Sequence, residues 1–168
     1  MIEELARPAP DADVRELALL LLDAVAAGAS VGFLDSLSLE EAEAWWRGKL
    51  ASAHERAVVL VARDAEGIAG TVQLQPAAMP NQPHRADVAK LQVHRRARGQ
   101  GLGRALMEAI ESRARAAGFT LLVLDTKRGD SAEKLYEGSG WTRAGVIPNY
   151  ALDPDGTPCD TVFFYKQL

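Results

Sequence analysis

Three glycines fall within five residues, between an apolar, β-branched stretch and a helical pattern. The segment reads Val93-His94-Arg95-Arg96-Ala97-Arg98-Gly99-Gln100-Gly101-Leu102-Gly103-Arg104-Ala105-Leu106. A strand running into such a turn and then into a helix is a phosphate-binding design. The first turn of a helix leaves its N–H groups unpaired and carries partial positive charge. Glycines let that backbone approach a phosphate closely, and Arg98 and Arg104 add cations. Two familiar phosphate loops do not fit. A dinucleotide fingerprint starting at Gly99 needs glycine where Arg104 stands, and one starting at Gly101 needs it at Leu106. The nucleoside-triphosphate loop needs a Lys-Ser/Thr ending, which is missing.

Two carboxylates also stand out. Asp87 falls inside a predicted strand, where aspartate is disfavoured. By two-residue alternation it shares a face with Ala89, Leu91 and Val93. Asp125 ends a nearly pure apolar run. Partial burial would raise the pKa of either and improve it as a base. The three histidines, His54, His84 and His94, lack metal-ligand spacing, and the single cysteine, Cys159, can form no internal disulfide, so no metal site is expected.

The elements that must position these groups follow from periodicity. Val14, Leu17, Ala18, Leu21, Leu22 and Val25 recur with helical spacing over residues 11–28. Ser38 and Glu41 form a capping box ahead of a second helix carrying Trp45, Trp46 and Leu50. Ala57–Ala62 and Ile68–Gln75 read as a hairpin around Asp64-Ala65-Glu66-Gly67. Prolines 76, 80 and 83 mark a loop, and a third strand runs over Arg85–Val93. After the glycine-rich helix, Phe119–Leu124 predicts a strand covered on both faces. Residues 130–139 read as a short helix, with Asp130 as cap and Glu133 three residues on. A return strand begins about Gly140, Trp141 and Val146, and Thr161–Lys166 is the last. The irregular alternation predicts one α+β domain spanning residues 1–168, with a mixed, mainly antiparallel sheet.

Composition narrows the function. With 168 residues, 48% hydrophobic and 25% charged, the chain is an ordinary globular domain. A net charge of −4 disfavours a nucleic-acid partner. The longest apolar run, Leu17–Leu22, is far too short to cross a membrane. Glu3 and Glu4 stand where a secretory leader would be basic, so a cytoplasmic protein is expected.

The string Arg98-x-x-Gly101-x-Gly103, following a strand that ends in Val93, resembles the acetyl-coenzyme A pyrophosphate loop of the GCN5-related N-acetyltransferases (GNAT). Ala132-x-x-x-Tyr136-x-x-x-Gly140-Trp141 is similar to the family's second signature, which usually ends Gly-Phe. The order of elements matches from about residue 11 onward. Gly28–Phe33, Arg85–Leu91, Leu124–Thr126 and the Tyr150–Gly156 segment resemble the tabtoxin-resistance branch, which acetylates an amino-acid-like β-lactam toxin. One departure concerns the asparagine that many members carry seven residues before the tyrosine. Gly129 stands there, which leaves Asp130 or Ser131 to replace its cofactor contact.

The resemblance implies a sheet whose strands splay apart to form the acetyl-CoA cleft. It implies that the main chain of Leu91, Gln92 and Val93 holds the thioester and pantetheine arm. The N–H groups of Gly99, Gln100, Gly101, Leu102, Gly103 and Arg104 would hold the pyrophosphate, with Arg98 nearby. Tyr136 matches the tyrosine placed near the thioester sulfur, where a phenol can protonate the departing thiolate. Gly28–Phe33 and Tyr150 would rim an acceptor pocket floored by Asp87 and Asp125, which serve as base or as ammonium ligand. The expected activity is acetyl transfer from acetyl-CoA, as co-substrate, to a primary or secondary amine of a small molecule by direct attack. Dimers are common in the family, so a homodimer is an expectation. The competing reading is a non-catalytic acyl-CoA-binding sensor module, which would keep the loop and lack the acid and base.

Overall fold

In a computed structural model describing residues 1–168, the switches in apolar period fall at the element boundaries. A short strand β1 (Ile2–Glu4) precedes helices α1 (Asp11–Ala26) and α2 (Leu39–Ala51). Strands β2 (Val58–Asp64), β3 (Gly67–Pro76) and β4 (Arg85–Val93) follow. Then come α3 (Leu102–Ala116), β5 (Leu121–Lys127), α4 (Ser131–Glu137), β6 (Thr142–Leu152) and β7 (Pro158–Gln167). The predicted capping box is present. Ser38 Oγ accepts from Glu41 N at 3.2 Å, and the Glu41 carboxylate accepts from Ser38 N at 2.8 Å.

The strands form a seven-stranded sheet in the order β1-β2-β3-β4-β5-β7-β6. Its one parallel pair is β4 with β5, matched only from Arg85–Asp87 to Leu121–Val123. Beyond Asp87 the two strands part, while β5 stays paired with β7 along its whole length. The sheet is therefore split open between the later half of β4 and the end of β5. Each face has its own core. Leu106, Met107 and Ile110 of α3 pack with Tyr136 and Trp141 over Leu60, Val72, Leu74 and Phe164. On the other face, Leu17, Leu20 and Leu21 of α1 and Trp46 of α2 cover Val59, Val61 and Ile68. Each fully buried leucine contributes about 1.5–3 kcal/mol of burial.

One element was unforeseen and two expectations need correction. β1 carries no usable pattern over its three residues, and it forms because Ile2, Glu3 and Glu4 pair with Ala62, Val61 and Leu60. β5 starts later than the apolar run and alternates: Leu122 and Leu124 are buried, whereas Leu121 and Val123 are only half-buried. Most important, Asp87 does not share a face with Leu91 and Val93. Thr71 pairs with Gln92 but Gln73 pairs with Ala89, so Lys90 and Leu91 together oppose Val72. This β-bulge, with Lys90 at φ 53°, inverts the alternation. Val88, Leu91 and Val93 consequently pack toward α3.

Candidate active site

Where β4 and β5 part, a cleft of about 680 Å³ opens. One wall is the main chain and side chains of Leu91, Gln92 and Val93, and the other is Lys127 to Ala132. Ala24, Ala27 and Gly28 at the end of α1, with Ala29 and Val31 beyond it, form the roof. At one end lie Arg98, Gly99, Gly101, Leu102 and Gly103. Gly101 is the N-cap of α3, in the left-handed conformation at φ 79° that favours glycine. The first donor of the helix ladder is Ala105 N, to Gly101 O. The six successive N–H groups of Gly99 to Arg104 make no hydrogen bond within the protein. This is a concentrated positive end, open to a cleft and built for an anion.

A buried carboxylate braces that end. Asp23, near the end of α1, has only 8% of its side chain exposed. It accepts from Arg95 N at 3.0 Å and from Arg95 Nε, with His94 Nε2 at 3.7 Å and Arg98 Nη2 at 3.9 Å. Burial pushes its pKa up. The two hydrogen bonds from Arg95 and the charges of His94 and Arg95 outweigh this and hold it below the usual value. Arg98 also donates to Val93 O at 3.0 Å, which fixes its guanidinium beside the cleft.

Two residues before the cleft-lining Lys127 on β5, Asp125 opens to solvent yet is recessed among protein atoms. Burial raises its pKa, Lys90 opposes the rise, and Asp87 adds to it. Asp87 is held differently, in an ion pair with Arg85 at 3.0 Å. Phe163 lies opposite Asp125 on β7, and Tyr150 packs edge-on against it at 5.4 Å. Phe33 packs edge-on against Trp45 at 5.2 Å. The Lys90 ammonium lies 5.7 Å from the Phe33 ring and 5.4 Å from the Trp45 ring, and donates to Val31 O at 2.5 Å. The loop after α1 is pinned further where Asp35 N donates to Pro154 O at 2.9 Å.

A GNAT acetyltransferase domain model matches residues 55–143, just over half of the chain. An uncharacterised N-acetyltransferase from the hisH-hisA intergenic region of Azospirillum brasilense is 38% identical over 117 residues, 68% of each chain. The chain belongs to the GNAT acetyltransferase family. It is an acyltransferase by that membership. A GNAT-family acetyltransferase of Streptococcus pneumoniae has the same fold at a TM-score of 0.80, with 25% identity over 100% of this chain and 99% of that one. The yncA protein of Salmonella typhimurium, solved with its cofactor acetyl-CoA, matches at a TM-score of 0.79 with 21% identity, over 100% of this chain and 93% of that one.

The GNAT cleft gathers most of the residues singled out from sequence. Leu91, Gln92, Val93, Arg98, Gly99, Gly101, Leu102, Gly103 and Ser131 all line it. Asp87, Asp125, Tyr136, Phe33 and Tyr150 do not, and neither do Gln100 and Arg104. The Gln100 side chain folds back to donate to Arg96 O at 3.2 Å, and Arg104 reaches toward Gly138 at the end of α4. Their N–H groups alone remain available. Glu133 accepts from Gly129 N at 2.6 Å rather than from the cap residue Asp130, so it orders the turn that replaces the family asparagine. Tyr136 is buried in the core under α3, against Phe164 at 5.8 Å and Trp141 at 6.1 Å. Burial, then the charges of Asp130 and Asp125, push its phenol well above the usual pKa. It therefore stays protonated.

Three features escaped the sequence. Lys90 already occupies the aromatic faces of Phe33 and Trp45, so those rings are not open to an acceptor's ammonium. Asp23 meets Arg95 only through the fold. Cys159 lies in β7, buried 3.7 Å from Ser30 Oγ beside the roof of the cleft.

Proposed function

We propose that the protein binds acetyl-CoA in the cleft and transfers its acetyl group to the amine of a small molecule by direct attack within a ternary complex. The observation carrying this reading is the run of six unpaired N–H groups at the start of α3, facing the cleft that opens where β4 and β5 part. The N–H groups of Gly99 to Arg104 would bind the pyrophosphate, and the main chain of Leu91 to Val93 would align the arm along β4. Bound acetyl-CoA supplies an electrophilic thioester carbon at the open end of the split. Asp125 takes the ammonium proton, directly or through a water, because its raised pKa brings it nearer the working range of a base. Asp87, already paired with Arg85, orients the acceptor and lifts Asp125. Tyr136, neutral and without a hydrogen-bond partner in the protein, gives its proton to the departing sulfur.

The acceptor end carries both signs: Asp87 and Asp125 against Lys90 and Lys49. A polyamine or aminoglycoside would set extra cations against those lysines. An acceptor with one amine and an anionic group fits both signs. That favours an amino-acid-like amine, the class acetylated by the tabtoxin-resistance branch that the chain resembles. The test is thiol release from acetyl-CoA across an amine panel that includes amino-acid-like, polyamine and aminoglycoside members. Release stimulated by the first group is expected. Tight acetyl-CoA binding with no release for any amine would instead make the protein a binding module.

A further inference from the structure

One of the chain's own primary amines lies next to the residues that line the cleft and within the field of Asp125. Lys90 stands on the β4 bulge, directly before the cleft-lining residues Leu91–Val93. Its Nζ is 2.5 Å from the carbonyl oxygen of Val31, itself a cleft-lining residue. The loop turns here through Gly32 at φ 92°, a backbone conformation that L side chains rarely adopt. The other lysines are placed differently. Lys49 donates to Gln75, Lys127 lines the cleft itself but is held in an ion pair with Asp153 at 2.7 Å, Lys166 is paired with Glu111, and Lys134 is exposed on α4.

We propose that Lys90 is an internal acetyl acceptor, modified in cis from the acetyl-CoA bound in its own cleft. This rests on the acetyl-CoA reading above. The Lys90 Nζ lone pair attacks the thioester carbonyl carbon and forms an N–C bond. The C–S bond breaks, and its electron pair leaves on sulfur. The proton lost by nitrogen passes to Asp125 or water, and sulfur gains one, giving Nε-acetyl-Lys90 and free coenzyme A thiol. No other reactant is needed. Burial favours the neutral, nucleophilic amine; Asp125 on β5 works against this and Lys49 on α2 with it. Acetylation removes the cation that faces Asp125 and the Phe33 and Trp45 rings. It also places an amide where an acceptor would sit, so modification and external transfer compete.

The experiment incubates the purified full chain with isotope-labelled acetyl-CoA, without amine, and maps the label by peptide mass spectrometry. Lys90 should carry about tenfold more label than exposed Lys134, because the bound donor is at high effective concentration. An amine that serves as acceptor should slow labelling of Lys90 and leave Lys134 unchanged. Gly101→Glu, which disables the cleft, should remove the label from Lys90 alone. Lys90→Arg keeps the cation and should lower the amine-independent thiol release. Equal labelling of Lys90 in Gly101→Glu would mean solution chemistry and overturn the proposal. So would a Lys90 left bare by wild-type protein that binds acetyl-CoA and turns over an external amine, and that result would leave the cofactor reading intact. Calorimetry showing no binding of acetyl-CoA to the wild type would overturn the cofactor reading itself, and this inference with it.

Discussion

Gly101 separates backbone strain from charge at the anion end of the cleft. It is the N-cap of α3 at φ 79°, and an added Cβ there would meet nothing within 4 Å. Gly101→Ala therefore costs only the left-handed strain of a non-glycine residue, about 1–2 kcal/mol. For a domain of this size that lowers Tm by roughly 2–8 °C. Gly101→Glu carries the same strain, and its carboxylate is partly compensated by the helix dipole, worth about 0.3–1 kcal/mol. The folded states of the two variants should thus be similarly stable. Their affinities should not be. A carboxylate within about 5 Å of a pyrophosphate charge costs about 3 kcal/mol at an effective dielectric near 20, roughly a hundredfold in affinity per unit of phosphate charge. It can also accept the very N–H groups the phosphates need. Calorimetry with acetyl-CoA should show a loss of a few fold for Ala and no measurable binding for Glu. Part of the Glu loss should return at high salt, because exposed charge is screened. A Glu variant that binds like wild type would refute the assignment of this loop. Equal losses in Ala and Glu would show that backbone shape, not the anion-binding field, governs the site.

Tyr136→Phe should lower kcat while leaving acetyl-CoA affinity and Tm close to wild type, since the lost hydroxyl has no partner in the protein; a full-rate variant with chemistry rate-limiting would return Tyr136 to a packing role. Asp125→Asn should lose turnover most at low pH and recover as rising pH deprotonates the amine unaided, whereas Asp87→Asn should act mainly through KM, which steady-state kinetics across pH would resolve. Because folding raises the Asp125 pKa above its ordinary 3.8, ionising it costs stability, so Asp125→Asn should melt no lower than wild type at neutral pH, an advantage that disappears as pH falls below 3.8 and the wild-type carboxyl is protonated in both states. Glu111→Ala should lower Tm by about 6–12 °C, from roughly 3 kcal/mol for stranding a charge that is mostly buried. It removes the acceptor of Trp141 Nε1 at 2.9 Å and Lys166 Nζ at 2.7 Å, and melting curves check it.

What was legible in the sequence was local, and what was not depended on long-range contacts and on one extra residue in β4. The capping box at Ser38 is set by residues three positions apart, so spacing alone reveals it. The Asp23–Arg95 brace spans 72 positions and the Glu111–Lys166 pair spans 55, and no period in the chain encodes either. The bulge is the instructive failure. Strict alternation puts Asp87, Ala89, Leu91 and Val93 on one face, and nothing in the string Ala86-Asp87-Val88-Ala89-Lys90-Leu91 announces a slip. A non-glycine residue at φ 53° is costly by itself, so it persists only where surroundings reward it. Here the reward is visible on both faces. The slip lets Leu91 and Val93 join the core under α3, as Val88 already does, while the Lys90 ammonium gains a carbonyl and two aromatic rings on the other. It also comes just after β4 loses its pairing with β5, so the stretch of β4 that lines the cleft is the stretch whose register has been shifted. A lysine that reads as one more charge on a strand thereby becomes an amine held between a loop carbonyl and two aromatic rings beside the cleft.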